Sequence, residues 1–131
     1  MNIKLKLANP IELEKSIEEL AIVDTGATFT TLPLSIAKNL NLNVIGKIKV
    51  KTATKIDQLD QSYAYIEIND KKTVTPVLIS ETLDRILIGV ITLEALGLAV
   101  DPTTGQLKEA EILLLTSTQS DKINFDESVW R

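Results

Sequence analysis

The sequence predicts a small, mostly β protein in which short strands close into a β-barrel, with two short helices. Its 131 residues are the size of one domain. Aliphatic residues recur in short runs separated by turn-forming residues, a pattern typical of barrels with short strands. Aromatic residues make up only 4% of the chain, so aliphatic side chains must fill the core.

The first forty residues predict two strands, an apolar stretch and a helix. Residues 3–7 alternate apolar and polar side chains, and Asn9-Pro10 ends this strand. Residues 17–23 predict a buried strand because their second half is almost entirely apolar. After the polar residues 24–28, an apolar stretch at residues 29–33 leads into a short helix from about residue 34 to 40.

The middle of the chain predicts a long hairpin. Residues 46–53 and 62–68 alternate in polarity, and we expect the polar residues 54–61 to join them. A tight turn at residues 69–71 then leads to a strand at residues 74–79, where Pro76 indicates a sheet edge or a bulge.

The last third predicts an apolar strand at residues 86–89, a helix closing at Gly97, a turn at residues 101–105 and a strand at residues 112–115. The predicted domain therefore covers residues 1–115. The polar tail at residues 116–131 is expected to be flexible or to lie at a subunit interface, with Trp130 as a candidate anchor.

Charge and composition exclude several classes of function. A net charge of −4 argues against a nucleic-acid partner, because phosphate binding needs a concentrated basic surface. A basic strip at Lys47, Lys49, Lys51 and Lys55 is interpreted as the solvated face of a strand. No stretch approaches the ~20 apolar residues of a membrane helix, and the first residues lack the apolar core of a signal peptide, so we expect no membrane partner and a cytoplasmic protein.

The absence of both Cys and His narrows the possible chemistry further. It excludes disulfides, thiolate chemistry, His-bearing metal sites and every catalytic triad that uses His or Cys. No metal or other cofactor is expected. A nucleophile or general base must come from a carboxylate, Lys, Tyr, Ser or Thr.

Two short motifs carry the functional signal. Asp24-Thr25-Gly26 alone indicates only a turn in which the carboxylate accepts backbone N–H bonds. Here, however, an apolar strand leads into it as Ile22-Val23-Asp24-Thr25-Gly26-Ala27. A second apolar-apolar-Gly element, Leu87-Ile88-Gly89, appears later and is followed by a helical pattern over residues 91–98.

Together these motifs resemble the retropepsin-like aspartic protease family over about residues 1–107. The Leu96-Gly97-Leu98 sequence and the following Asp101-Pro102 turn are similar to those of its small cellular and prokaryotic members. The resemblance implies that Asp24 is catalytic and that Thr25 braces paired loops across a twofold axis. It also implies that Gly26 and Ala27 support the active-site loop, and that Leu87 and Gly89 form a structural second element.

A single Asp-Thr-Gly motif has a consequence for assembly. Two carboxyl groups about 3 Å apart share one proton because both cannot ionise at once, and such a pair can activate water. One chain supplies one such carboxylate, so the chemistry predicts a homodimer with Asp24 from each subunit. Activity should then be bell-shaped in pH, with limits that belong to the pair.

The predicted hairpin at residues 46–68 matches the position of the family's flap, with its tip near residues 53–57. Family flap tips commonly contain Gly, and this chain has none between Gly46 and Gly89. We expect extended peptides with apolar side chains as substrates. The resemblance implies contacts with substrate from Thr28, Ala53, Thr54, Lys55, Ile56, Ile86 and Ile88.

The leading hypothesis is therefore an aspartic endopeptidase. An alternative is a catalytically silent domain that keeps the barrel and the dimer as a peptide-binding or assembly module, which the Gly-poor flap motivates. A third interpretation is a monomeric β domain in which Asp-Thr-Gly is only a turn.

Three other features have ordinary structural interpretations. We expect a surface ion pair at Asp84-Arg85, turn initiation by Asp101, and cross-strand packing by Tyr63 and Tyr65 on one hairpin face.

Overall fold

A computed structural model describes residues 1–111, in which six strands close a barrel and a hairpin extends from it. The predicted strand at residues 112–115, the polar tail and Trp130 lie outside the described residues. In chain order the elements are β1 (Asn2–Ala8), a 3-10 helix (Leu13–Lys15), β2 (Ile17–Val23), β3 (Thr30–Pro33), α1 (Leu34–Asn39), β4 (Gly46–Lys51), β5 (Ile56–Ile68), β6 (Lys71–Ser80), β7 (Ile86–Ile88), α2 (Val90–Ala95), β8 (Leu98–Val100) and β9 (Leu107–Glu109).

The barrel closes because β1 pairs on both sides. Its strands follow the order β1-β2-β7-β3-β6-β5, and residues Lys6 to Ala8 of β1 pair again with β5. The pairs β2–β7 and β3–β6 are parallel, and the other neighbours are antiparallel. Aliphatic side chains from all six strands fill the interior, including Leu5, Leu7, Ala21, Leu32, Ile66, Val77, Ile86 and Ile88. The mostly β barrel with two short α-helices is confirmed.

Strand β2 is less buried than its sequence suggested. Of its apolar residues only Ala21 is buried, whereas Leu20 is 64% exposed. Successive side chains of a strand point to opposite faces, so Leu20 lies outside the barrel next to the inward-facing Ala21. The prediction of a buried strand is therefore wrong for its outer face.

The second strand of the β4–β5 hairpin is longer than predicted. Strand β4 pairs only with β5, from Gly46 opposite Gln61 to Lys51 opposite Ile56. Residues 56–61 therefore belong to β5, and the predicted linker at residues 54–61 is wrong from residue 56 onward. Pairing with β4 satisfies their backbone groups whatever the polarity of their side chains. Along β4 the exposed lysines alternate with the half-buried Ile48 and Val50, which confirms the solvated face.

Positive backbone φ angles mark one predicted turn and the predicted end of a helix. Asn69 and Asp70, with φ of 50° and 56°, form a two-residue turn between the paired Ile68 and Lys71. Gly97, with φ of 69°, follows the end of α2, so the helix stops at Ala95. The helical pattern over residues 91–98 was therefore too long, and Leu98 instead begins β8, which pairs with β9.

Pro76 lies where strand β6 has one neighbour. It is opposite Tyr63 on β5, while pairing with β3 starts only at Val77. A residue without an N–H donor is tolerated there, as the predicted edge position requires. No helix within residues 1–111 combines the length and apolar content needed to cross a membrane.

Tyr65 and Glu67 form a polar pair on the outer face of β5. The Tyr65 hydroxyl donates to Glu67 Oε1 at 2.7 Å. This hydrogen bond lowers the pKa of Glu67 and raises the pKa of Tyr65. Because the bond favours the ionised carboxylate, Tyr65→Phe is expected to raise the Glu67 pKa, measured by NMR titration of the carboxyl carbon. Tyr63→Phe on the same face should leave it unchanged, and an unchanged Glu67 pKa in Tyr65→Phe would contradict the prediction.

Candidate active site

Parallel pairing brings the two sequence motifs together. Asp24 follows β2 and Gly89 follows β7, and the two strands are neighbours with Val23 opposite Ile88. In this parallel pair the carboxyl ends of both strands lie at one edge of the sheet. The Asp24 N–H donates to the Ile88 carbonyl at 2.9 Å, which fixes the start of the loop against the second motif.

The Asp24 loop is also organised by its own hydrogen bonds. The Gly26 N–H donates to Asp24 Oδ1 at 2.9 Å, and the Ala27 N–H donates to the Asp24 carbonyl at 3.1 Å. A Cβ at Gly26 would lie 3.2 Å from Asp24 Oδ1, so glycine permits this close approach. The carboxylate is thereby oriented while Thr25 and Gly26 remain exposed.

The second motif holds the far side of the loop. The Val90 N–H donates to the Ala27 carbonyl at 2.9 Å, and the Ile91 N–H donates to the Thr28 carbonyl at 3.0 Å. A Cβ at Gly89 would lie 2.5 Å from the carbonyl carbon of Phe29. No side chain fits at that distance from a backbone atom, so the Gly89 position requires glycine.

Three buried threonines connect the same elements. Thr30 Oγ1 accepts the Gly89 N–H at 3.1 Å and lies 2.6 Å from Thr92 Oγ1, which lies 3.2 Å from Thr75 Oγ1. All three are completely buried. This threonine cluster was missed at the sequence level. A polar residue at an inward position of an apolar strand or helix is the signal that could have indicated it.

Removing the central hydroxyl tests the cluster. Thr92→Val keeps the side-chain shape but leaves the buried Thr30 and Thr75 hydroxyls without this partner. We expect the free energy of unfolding to fall by about 1–3 kcal/mol, measured by denaturant titration. The control is Thr73→Val, because Thr73 is only partly buried and bonds its neighbour's carbonyl. Equal free energies of unfolding for the two variants would show that the threonine cluster does not stabilise the fold.

A groove of about 570 Å³ lies between the Asp24 loop and the β4–β5 hairpin. Residues 26–29 line it on the loop side, and they include Thr28, whose contact with substrate stays a prediction. Its aliphatic walls come from the hairpin, from β6 and from the segment before β7, namely Ile48, Val50, Leu59, Leu78 and Leu83. Such a groove suits an extended chain with apolar side chains.

Solved structures of the same architecture identify the fold. The sequence matches no protein-family model and no curated protein. The simian foamy virus (mac) protease matches with a TM-score of 0.51 and 24% identity, over 68% of this chain and 87% of that chain. The EIAV protease complexed with the inhibitor HBY-793 matches with a TM-score of 0.59 and 14% identity, over 87% of this chain and 92% of that one. A retropepsin-like aspartic protease from Rickettsia conorii matches with a TM-score of 0.51 and 17% identity, over 77% of this chain and 86% of that chain. The chain has a retropepsin-like fold.

In this retropepsin-like fold the supporting residues of the motifs have separate roles. Ala27 contributes its carbonyl to the contact with Val90, and Leu87 pairs opposite Thr31 of β3. Gly89 allows the close packing against Phe29. The Thr25 side chain makes no hydrogen bond within residues 1–111, so its bracing role across a twofold axis needs a second copy and stays a prediction.

Two predicted substrate contacts are wrong. Ile86 and Ile88 are completely buried in the barrel core and do not line the groove. Because β7 lies between two other strands of a closed barrel, its alternating side chains place Ile86 and Ile88 inward and Leu87 outward.

The flap tip is shorter than predicted and needs no glycine. Its turn is residues 52–55, whereas Ile56 and Asp57 already belong to β5. The Thr52 hydroxyl accepts the Lys55 N–H at 3.2 Å and donates to the Lys55 carbonyl at 3.1 Å. No residue of this turn has a positive φ. Of the predicted tip contacts, Lys55 lines the groove in the single chain, whereas Ala53, Thr54 and Ile56 do not.

The remaining acidic candidates have the structural roles predicted for them. Arg85 Nε lies 3.2 Å from Asp84 Oδ1 in an exposed ion pair. Asp101 Oδ1 accepts the Thr103 hydroxyl at 2.7 Å and its N–H at 2.9 Å, and these bonds lower the pKa of Asp101. Within residues 1–111, no three or more Asp or Glu side chains gather as a potential metal site.

Proposed function

We propose that this chain is an aspartic endopeptidase that acts as a homodimer. The observation that carries the proposal is the placement of Asp24. Its carboxylate accepts the Gly26 N–H on a loop that borders an aliphatic groove, in a retropepsin-like fold. The groove accommodates the extended peptide, and the loop supplies the carboxylate.

The second subunit is required by the chemistry. Peptide hydrolysis by carboxyl groups needs one ionised and one protonated carboxyl group next to each other. Asp24 follows β2 just before the residues that line the groove, and within residues 1–111 the lining itself has one acidic residue, Asp57, which lies on the hairpin and pairs with Lys55 at 3.7 Å. A twofold axis beside the Asp24 loop supplies the missing carboxyl group from the second Asp24.

In the proposed reaction, the ionised Asp24 carboxylate accepts a proton from water while the water oxygen attacks the peptide carbonyl carbon. The protonated Asp24 of the other subunit donates a hydrogen bond to the carbonyl oxygen. The tetrahedral intermediate then collapses, the C–N bond breaks, and the leaving amine takes a proton from the pair. One proton is again shared at the end, so the pair is ready for another cycle. No metal or cofactor enters these steps.

The silent peptide-binding alternative rested on the lack of glycine in the flap. Thr52 closes the tip by its hydroxyl and no residue of the tip is left-handed, so the missing glycine does not by itself argue for an inactive flap. Aliphatic side chains in the groove support apolar residues at the cleaved bond. The cytoplasmic location stays a prediction.

The test is hydrolysis of an unstructured protein by the full chain from about pH 3 to about pH 7, with and without an aspartic-protease transition-state analogue. We expect a bell-shaped profile and inhibition by the analogue. Sizing in the same buffers should give about 29 kDa, twice the chain mass of 14.4 kDa. A monomer that hydrolyses nothing would instead support the third interpretation, in which Asp-Thr-Gly is a turn.

A further inference from the structure

The groove carries positive charge in an otherwise acidic protein. The chain has a net charge of −4, yet the charged residues lining the groove are Lys49, Lys51, Lys55 and Asp57. Lys55 pairs with Asp57 at 3.7 Å, which leaves Lys49 and Lys51 as the uncompensated charges of the lining within residues 1–111. Neither Lys49 nor Lys51 lies within 4 Å of a carboxylate oxygen in residues 1–111.

The position of these lysines limits what they can contact. Both are exposed and alternate with Ile48 and Val50 along β4. Strand β4 is the outer strand of the hairpin, and Lys49 and Lys51 line the groove there beside the aliphatic Ile48 and Val50. They can meet the ends of a bound segment, whereas the middle of that segment lies against the aliphatic walls and the Asp24 loop.

We infer that the preferred substrates are extended segments with an aliphatic centre and acidic residues on both sides of it. The inference rests on the proposed function of the same groove. In a twofold dimer, Lys49 and Lys51 recur at both ends of the cleft, so acidic residues on both flanks find a partner. Acidic residues at the centre are disfavoured, because they would approach the ionised Asp24.

Binding and hydrolysis are measured separately. Three peptides share one aliphatic centre and carry Glu, Gln or Lys on both flanks. Binding is followed by fluorescence anisotropy with the full-length Asp24→Asn chain, which cannot consume the peptides. At low salt the Glu peptide should bind about threefold to tenfold more tightly than the Gln peptide, and the Lys peptide more weakly than both. The difference should shrink above about 0.3 M salt, because added ions screen exposed charges.

Lysine variants on strand β4 show which ammonium groups cause the preference for the Glu peptide. Lys49→Gln with Lys51→Gln should remove most of the preference for the Glu peptide. The matched control is Lys47→Gln combined with Lys4→Gln, which changes net charge equally. Lys47 lies on the same face of β4 but pairs with Asp60 at 3.7 Å and does not line the groove, and Lys4 lies on β1. The control should keep the preference.

The outcomes separate this inference from the proposed function. Equal binding of the three peptides, or an equal loss in the control, overturns the inference, and hydrolysis of the same peptides by the wild-type chain would still support the endopeptidase. A Glu preference that depends on Lys49 and Lys51 supports the inference even if the wild-type chain cleaves none of the peptides, in which case the endopeptidase proposal fails. If no peptide is bound or cleaved, both fail.

Discussion

Asp24→Asn is expected to lower the rate of peptide hydrolysis by about 10³-fold or more while leaving the chain folded. An asparagine oxygen can still accept the Gly26 N–H, so the loop geometry is kept. It cannot take a proton from water, and two asparagines cannot share one. The variant should therefore unfold at the same denaturant concentration as the wild type and have the same mass in solution.

The control for this variant is Asp84→Asn, which removes an equal charge from an exposed side chain that pairs with Arg85 and is not part of the groove lining. It should hydrolyse at the wild-type rate. Full activity of Asp24→Asn would show that Asp24 only starts a turn. If the wild-type chain is folded and dimeric but neither hydrolyses protein nor binds the transition-state analogue, the peptide-binding module becomes the better description.

Gly89→Ala is expected to have the largest effect on stability. The added Cβ would lie 2.5 Å and 2.6 Å from the carbonyl carbon and oxygen of Phe29 and 2.8 Å from the carbonyl carbon of Thr28. These are backbone atoms, which cannot rotate away as a flexible side chain would. Either the Asp24 loop or the start of α2 must move, and we expect the free energy of unfolding to fall by about 3 kcal/mol.

The same displacement should reduce hydrolysis. The loop that moves carries Asp24, and a shift of about 1 Å at a reacting group can cost about 100-fold in rate. Gly46→Ala is the matched control, because a Cβ there meets nothing within 4 Å and the backbone is not left-handed. It should change stability by less than about 0.5 kcal/mol and leave activity intact. If Gly89→Ala behaved like Gly46→Ala, the second motif would not position the Asp24 loop.

Local patterns predicted the individual elements well. Alternating polarity placed the outer and inner faces of the second hairpin strand, where Ala64, Ile66 and Ile68 are buried and Tyr63 is exposed. Local patterns failed where pairing partners decide the outcome. Residues 56–61, four of which are polar, form a strand because β4 and β6 satisfy their backbone groups, which the pattern of their side chains did not indicate.

In the candidate site, too, local patterns predicted some features and strand pairing decided others. Ile86 and Ile88 were expected to contact substrate as part of the aliphatic walls of the cleft, but a strand with neighbours on both sides in a closed barrel turns alternate residues inward. The groove walls instead come from Ile48, Val50 and Leu59, which are distant from both motifs in sequence. Which aliphatic residues face the groove depends on how the hairpin folds over the loop.

By itself, the sequence determined the chemistry that is available: a chain without Cys or His, one Asp-Thr-Gly motif after an apolar strand, and a Gly-ended second motif. Residue identity and local order fix these properties. Only the tertiary structure decided that the motifs are adjacent, that Gly89 packs on Phe29, that Thr30, Thr75 and Thr92 form one buried cluster, and that lysines border the groove. Each of these contacts joins residues far apart in the chain, so strand pairing and barrel closure, rather than local preference, bring them together.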